Sequence, residues 1–201
     1  MLRRRMKYAV ALPLILVFGL LASHPQRLAA AAPSDTDVLL RLCMLESLPE
    51  DIRGSLQRHF SDWKIQEPAQ LSRSAHDRWA AEQPTSCPGI AAGHFVNGKD
   101  TAYALLLIPT DLSDPEFVLV IFTQAAVKGL YAYKIVDRVE TGGSDSFILT
   151  TPISKYLQAE SLRKSQSRQS ESILLVTAGA KTEASVYYWE KDSYQSQRVD
   201  Y

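Results

Sequence analysis

The chain changes its hydrophobic period near its middle. In the first part, apolar residues recur at steps of three and four, which is the spacing of helices with one buried face. We predict helices over residues 35–48, 50–60 and 72–81, with Pro49 ending the first and Trp79 buried by the third. This part of the chain is therefore expected to be helical.

From residue 87 onward the pattern is typical of β-strands. Short apolar runs, several of them alternating with polar residues, are separated by turn residues. Asn97-Gly98 lies between two such runs, and both residues tolerate the positive φ that a tight hairpin turn requires. We predict eight strands, over residues 90–96, 101–108, 117–123, 130–139, 146–150, 172–178, 185–189 and 194–199.

Helices followed by strands predict an α+β fold, in which N-terminal helices pack on an antiparallel β-sheet of about six to eight strands. Except for residues 153–169, which are long enough for a short helix, the connections between strands are too short for crossover helices, which disfavours a parallel sheet. We assign residues 33–86 to the helical part and residues 87–201 to the β part of a single domain. A chain of this length suffices for one ordinary hydrophobic core.

The first 32 residues have the organisation of a secretory signal peptide. A basic head precedes an uncharged apolar run from Tyr8 to Ala22, and the small residues Ala29 to Ala32 offer a cleavage site. The apolar run has 15 residues, fewer than the roughly 20 of a spanning helix, so cleavage is favoured over an uncleaved anchor. We expect an exported protein, periplasmic or extracellular, with no stable membrane insertion after signal cleavage.

Loss of this segment would change the charge balance. The whole chain has 22 basic and 22 acidic residues, and residues 1–32 contain five of the basic ones and none of the acidic ones. Residues 33–201 therefore carry 17 basic and 22 acidic residues, a net charge of −5. An acidic surface disfavours nucleic acid and anionic membranes as partners, because both require a basic contact surface.

Two cysteines, Cys43 and Cys87, follow the signal segment. In an exported protein an even number of cysteines predicts an intramolecular disulfide, and two buried free thiols are the alternative. The two are far apart in sequence and form no Cys-x-x-Cys motif, so neither a redox site nor a zinc site is predicted. The sequence predicts no metal site and no cofactor.

No catalytic motif is evident. The weak candidates are His94 together with Ser144 or Ser146, since the glycines beside these serines could expose a nucleophile. However, the segment Thr141–Ser146 lacks the Gly-x-Ser-x-Gly pattern, and its residues are typical of a tight connection between strands. We therefore predict a turn and assign no catalytic residue. A hydrolase acting on envelope material is the alternative.

The aromatic residues near the C-terminus are a candidate binding surface. Alternation places Tyr187 and Trp189 on one face of a strand and Tyr188 on the other, and Tyr194 follows. Displayed aromatic side chains suit contacts with a protein or a carbohydrate. We favour the alternative, in which they form part of the core and a cross-strand aromatic ladder.

The stretch from Cys87-Pro88-Gly89, through Gly93-His94-Phe95, to Tyr103-Ala104-Leu105-Leu106 resembles a degenerate FG-GAP-type strand–turn–strand segment. It is also similar to uncharacterised exported bacterial proteins that share a Cys-Pro-Gly start. FG-GAP turns hold calcium with several Asp or Asn side chains. Here His94 and Val96 stand at two of those positions, so the resemblance does not imply a calcium site.

These observations predict a non-enzymatic binding module, periplasmic or secreted, whose partner is a protein or a cell-envelope component. The prediction depends on the lack of a catalytic set and on the expected export. An inhibitor or immunity-type protein is a further alternative, because the chain is small, exported and expected to contain a disulfide.

Overall fold

The computed structural model describes residues 43–82, 86–96, 99–111, 116–156 and 171–201. All of them belong to the compact unit Pro33–Tyr201. The predicted signal segment, most of the first predicted helix and the Asn97-Gly98 turn lie outside the described residues. Within the described ranges, no helix is long and apolar enough to cross a membrane.

Two α-helices form where the hydrophobic period is helical. Helix α1 spans Glu50–His59 and has acidic residues in its first turn and basic residues in its last, as the helix dipole favours. Helix α2 spans Arg73–Glu82 and buries Trp79. Both confirm predicted helices. The described end of the first predicted helix is only a 3-10 turn, Leu45–Ser47, so an α-helix that continues to Leu48 is wrong.

The first β-sheet is antiparallel and contains five strands, which are β1 (Trp63–Ile65), β2 (Ile90–Gly93), β3 (Ala102–Pro109), β4 (Phe117–Gln124) and β5 (Tyr131–Val139). Strands β3 and β4 form the centre, and β5 is one edge. Strands β1 and β2 pair with different ends of β3 and share the other edge. Strand β1 was not predicted, because three residues are too few to show a period.

The second β-sheet is a four-stranded antiparallel meander of β6 (Ser146–Pro152), β7 (Glu171–Ala178), β8 (Thr182–Glu190) and β9 (Ser193–Val199). Each strand pairs with the next along the chain. The eight predicted strands correspond to β2–β9, so their existence is confirmed. Their division between two sheets was not predicted.

The two sheets pack face to face, and each carries one helix on its outer side. The inner faces share a cluster that includes Leu106 and Leu119 from the first sheet and Ile148 and Ile173 from the second. Helix α1 packs on the outer face of the first sheet, and α2 packs on the outer face of the second. The prediction of antiparallel strands with helices is confirmed, but a single sheet covered by N-terminal helices is wrong.

The physical reason lies in the two central strands of the first sheet. Strands β3 and β4 are almost continuously apolar, and nearly all of their residues are buried. A strand with apolar side chains on both faces requires cover on both sides. Helix α1 supplies that cover on one side and the second sheet supplies it on the other.

Gln66 is a buried polar residue directly after β1. Its exposed fraction is 0%, and neither polar atom of its side-chain amide has a hydrogen-bond partner among the described residues. Unpaired buried polar groups lower stability, because they lose their hydrogen bonds to water on folding. We expect Gln66→Met, which keeps a side chain of similar length, to raise the free energy of unfolding by about 1–2 kcal/mol. Urea denaturation measures this change.

Gln70 provides a matched control for that substitution. Its side-chain oxygen accepts a hydrogen bond from the backbone N–H of Glu67 at 2.9 Å. Gln70→Met should therefore leave the free energy of unfolding unchanged or lower it. A clear loss of stability for Gln66→Met would contradict the expected gain, because it would show that the buried amide is paired in the folded protein.

Candidate protein-binding surface

Cys43 and Cys87 form a disulfide, which confirms the prediction from the cysteine count. Their Cα atoms are 5.1 Å apart, and the bond joins the segment before α1 to the segment before β2. Both residues are buried in the cluster that α1 forms with the first sheet. The disulfide therefore attaches the α1 region covalently to the sheet.

The structure does not bring His94 and Ser146 together. His94 donates its backbone N–H to Glu171 Oε2 at 2.7 Å, and its Nδ1 lies 3.1 Å from the same oxygen. The Ser146 Oγ lies 3.0 Å from the hydroxyl of Thr177. Glu171 and Thr177 are six residues apart on β7, which corresponds to about 20 Å along a strand. A histidine cannot activate a serine over that distance.

The segment that contains both candidate serines is a turn, but it connects strands of different sheets and is not the predicted hairpin. Gly142 adopts a left-handed conformation with φ of 85°, and Gly143–Asp145 forms a 3-10 turn that leads into β6. Ser146 donates its hydroxyl to the carbonyl of Gly142 at 2.8 Å, which closes the turn. The exposed Ser144 accepts a hydrogen bond on its backbone carbonyl from the N–H of Ser72 at 2.7 Å.

The C-terminal aromatic residues Tyr187, Trp189 and Tyr194 are buried or half-buried. Tyr187 is 4% exposed and packs between the two sheets, where its hydroxyl donates to the Asp137 carboxylate of β5. Burial, and then the neighbouring Asp137, raise the pKa of Tyr187. Trp189 and Tyr194 form an edge-to-face pair with ring centroids 4.9 Å apart. Tyr187 is therefore part of the core cluster, and Trp189 and Tyr194 contact each other across neighbouring strands.

The exposed apolar side chains are concentrated in the first-sheet half of the protein. In the described ranges, the large hydrophobic residues that are exposed are Met44, Leu45, Val127, Leu130, Tyr133 and Ile135. The first two precede α1, and the other four follow the β4–β5 hairpin from its tip along β5. We call Val127, Leu130, Tyr133 and Ile135 the β5 surface. The described strands of the second sheet contribute no residue of this kind.

Tyr133 and Ile135 lie in the edge strand β5, and their side chains are on the face of the sheet that α1 covers. The ring of Tyr133 lies 5.3 Å from that of Phe60 and 5.4 Å from that of His59. Ile135 is opposite Val120 on β4, and Val120 belongs to the cluster beneath α1. Tyr133 is nevertheless 40% exposed and Ile135 44% exposed. The end of α1 thus contacts the ring of Tyr133 without covering it, and Ile135 is exposed beside it.

A groove of about 480 Å³ lies beside the C-terminal half of α1. Its apolar lining includes Met44, Leu45, Phe60, Trp63 and Leu107. Phe60 lines the groove and also contacts Tyr133, so one side chain connects the groove to the β5 surface. The exposed residues Met44 and Leu45 of the groove are therefore connected to the β5 surface through Phe60.

The backbone of β5 is partly open at the edge of the sheet. Ala125 donates its N–H to the carbonyl of Leu130 at 2.8 Å. In an antiparallel pair, bonded and non-bonded positions alternate, so the backbone groups of Tyr131, Tyr133 and Ile135 point away from β4. In agreement, Tyr131 donates its N–H at 2.7 Å to a carboxylate oxygen of Asp51 on α1.

Tyr133 and Ile135 have no such cap among the described residues. Their outward backbone groups and their exposed side chains therefore occupy the same short stretch of the edge. One feature of the sequence indicated that β5 is less covered than its neighbours, because β5 alternates in polarity whereas β3 and β4 do not. Alternation marks a half-buried strand, but it does not say which partner the strand lacks.

Comparisons with protein-family models, with curated proteins and with solved structures found no match. The resemblance of residues 87–107 stays an interpretation of the sequence, and the described parts of this stretch contain strands β2 and β3.

Proposed function

We propose that this chain is an exported, non-enzymatic binding module, and that it contacts a partner protein through the β5 surface. The observation that carries the proposal is the segregation of exposed apolar side chains, all of which lie in the first-sheet half of the described residues. Contiguous exposed apolar residues are typical of interaction sites in proteins that are otherwise polar outside.

The disulfide supports the part of the proposal that concerns export. Disulfides persist in oxidising compartments, and the signal-like segment at residues 1–32 would direct the chain to one. A periplasmic or extracellular location would place the β5 surface among secreted proteins and proteins of the cell envelope. These are the partners that we propose.

The edge position of these side chains supports a protein as the partner. A strand edge presents unpaired backbone donors and acceptors, and natural proteins usually protect such edges with charges, proline or a covering element. On β5 the cap from Asp51 protects Tyr131 and the exposed Lys134 adds one charge, whereas Tyr133 and Ile135 combine an open edge with apolar side chains. An edge of this kind fits a protein chain better than it fits a carbohydrate.

The test compares two surface variants of the purified protein. We expect the double substitution Tyr133→Ser and Ile135→Thr to weaken binding of the partner about tenfold or more, because it removes the central apolar contacts. The partner is first captured from secreted and envelope fractions, then purified, and its dissociation constant is measured with each variant. Thermal unfolding verifies that each variant is folded.

The matched control changes the edge of the other sheet. Gln195→Ser with Gln197→Ser alters two exposed polar residues of β9, which is one edge strand of the second sheet. This variant should bind the partner as the unaltered protein does. If the β9 variant lost binding and the β5 variant kept it, or if no protein bound to either, the proposed function would be wrong.

A further inference from the structure

The open part of the β5 edge has a specific chemical pattern. Tyr133 and Ile135 present outward backbone groups and place their side chains on the α1 side of the sheet. Lys134 lies between them, and its side chain is exposed on the opposite face, since it pairs with Ile121 of the inner cluster. The edge therefore offers apolar, basic and apolar positions in succession, on alternating faces.

We propose that the partner adds a β-strand to β5, and that this strand carries an acidic residue between two apolar residues. The inference rests on the proposed function, because it specifies the partner of the same surface. The added backbone pairs with the N–H and C=O groups of Tyr133 and Ile135. The apolar side chains of the strand contact those of Tyr133 and Ile135, and its carboxylate lies opposite Lys134.

The charge of Lys134 distinguishes this partner from a second copy of the chain. A two-fold antiparallel pairing of β5 with itself that uses the open backbone groups places Tyr133 of one copy opposite Ile135 of the other. That pairing is centred on Lys134 and places the two Lys134 side chains directly opposite each other on one face, where like charges repel each other. A carboxylate in the partner strand reverses the sign of this interaction.

Two synthetic peptides test the pattern directly. Capped Thr-Val-Glu-Val-Thr carries the proposed sequence pattern, and capped Thr-Val-Lys-Val-Thr differs only in its central charge. In NMR titrations of the isotope-labelled protein, we expect the glutamate peptide to shift the amide signals of Tyr133 and Ile135. It should bind about tenfold more tightly than the lysine peptide at low salt, and added salt should reduce the difference.

Substitutions in β5 separate backbone pairing from side-chain contact. Lys134→Glu should reverse the preference between the two peptides. Ile135→Pro removes an outward N–H without removing a hydrogen bond to β4, so it should abolish peptide binding while the sheet persists. Ile135→Val keeps both the N–H and a branched side chain, and it should bind like the unaltered protein. If the Ile135→Pro variant does not fold, the reversed peptide preference of Lys134→Glu still tests strand addition.

Strand addition is overturned if neither peptide shifts the β5 signals, if the two peptides bind equally, or if Lys134→Glu leaves the preference unchanged. This failure differs from failure of the proposed function. If the Tyr133→Ser, Ile135→Thr variant loses binding of a captured partner, the β5 surface remains the binding site and only strand addition is rejected. If the peptides do not bind β5 and the variant does not lose a captured partner, both the proposed function and strand addition are rejected.

Discussion

Replacing Cys43 and Cys87 with alanine is expected to lower the free energy of unfolding by about 4 kcal/mol. The two residues are separated by 44 positions, so the bond closes a long loop in the unfolded chain. Without the bond the unfolded chain has more conformations, so folding costs more conformational entropy. The loop contains α1, β1 and α2, so the substitution affects elements on both sheets.

Urea denaturation of the two forms measures this effect. The midpoint should fall, and the dependence on urea should become steeper, because an unfolded chain without a cross-link exposes more surface. The unaltered protein in excess reductant is the control, and it should match the double alanine variant. Equal midpoints for the oxidised protein and the variant would contradict the expected loss.

The disulfide was predictable because two cysteines allow only one intramolecular pair. The strands β2–β9 were predictable as well, since each depends on a local period or an apolar run. The arrangement of the strands was not predictable in this way. The connection of residues 140–145 contains the glycines and the aspartate of a hairpin turn, yet β5 and β6 belong to different sheets.

The candidate binding surface was harder to predict from the sequence than the fold. Tyr187 and Tyr133 both lie in alternating strands, but Tyr187 is between the sheets and Tyr133 is at an edge. Only the order of the strands decides which of the two is covered. For the same reason, the outward N–H of Ile135 and its position beside Lys134 could be recognised only once the partner of β5 was known.

A second substitution, Gly89→Ala, is expected to destabilise the protein by about 3 kcal/mol. A Cβ atom at this position would overlap the carbonyl oxygen of Gln66 and lie 2.7 Å from its backbone nitrogen. Both atoms belong to the main chain, so no side-chain rotation relieves the contact. The backbone of Gln66 is also held by a hydrogen bond of 3.0 Å from its N–H to the carbonyl of Leu106.

The surroundings of Gly89 explain why a shift there would be costly. Its carbonyl accepts a hydrogen bond from Leu106 of β3 at 2.9 Å, and the carbonyl of Pro88 accepts one from Ile148 of β6 at 2.8 Å. Cys87 is fixed by the disulfide. The Cys-Pro-Gly tripeptide therefore contacts both sheets and the α1 region, and displacement of Gly89 would disturb all three.

Gly179 provides the control for this substitution. A Cβ atom there would have no neighbour within 4 Å, and Gly179 is exposed in the turn between β7 and β8. Gly179→Ala should be neutral or stabilise the protein by up to about 1 kcal/mol, because alanine restricts the unfolded chain. Thermal and urea unfolding of the two variants measure the contrast. If Gly89→Ala were as stable as Gly179→Ala, the close approach of β1 to the Cys-Pro-Gly segment would not exist in solution.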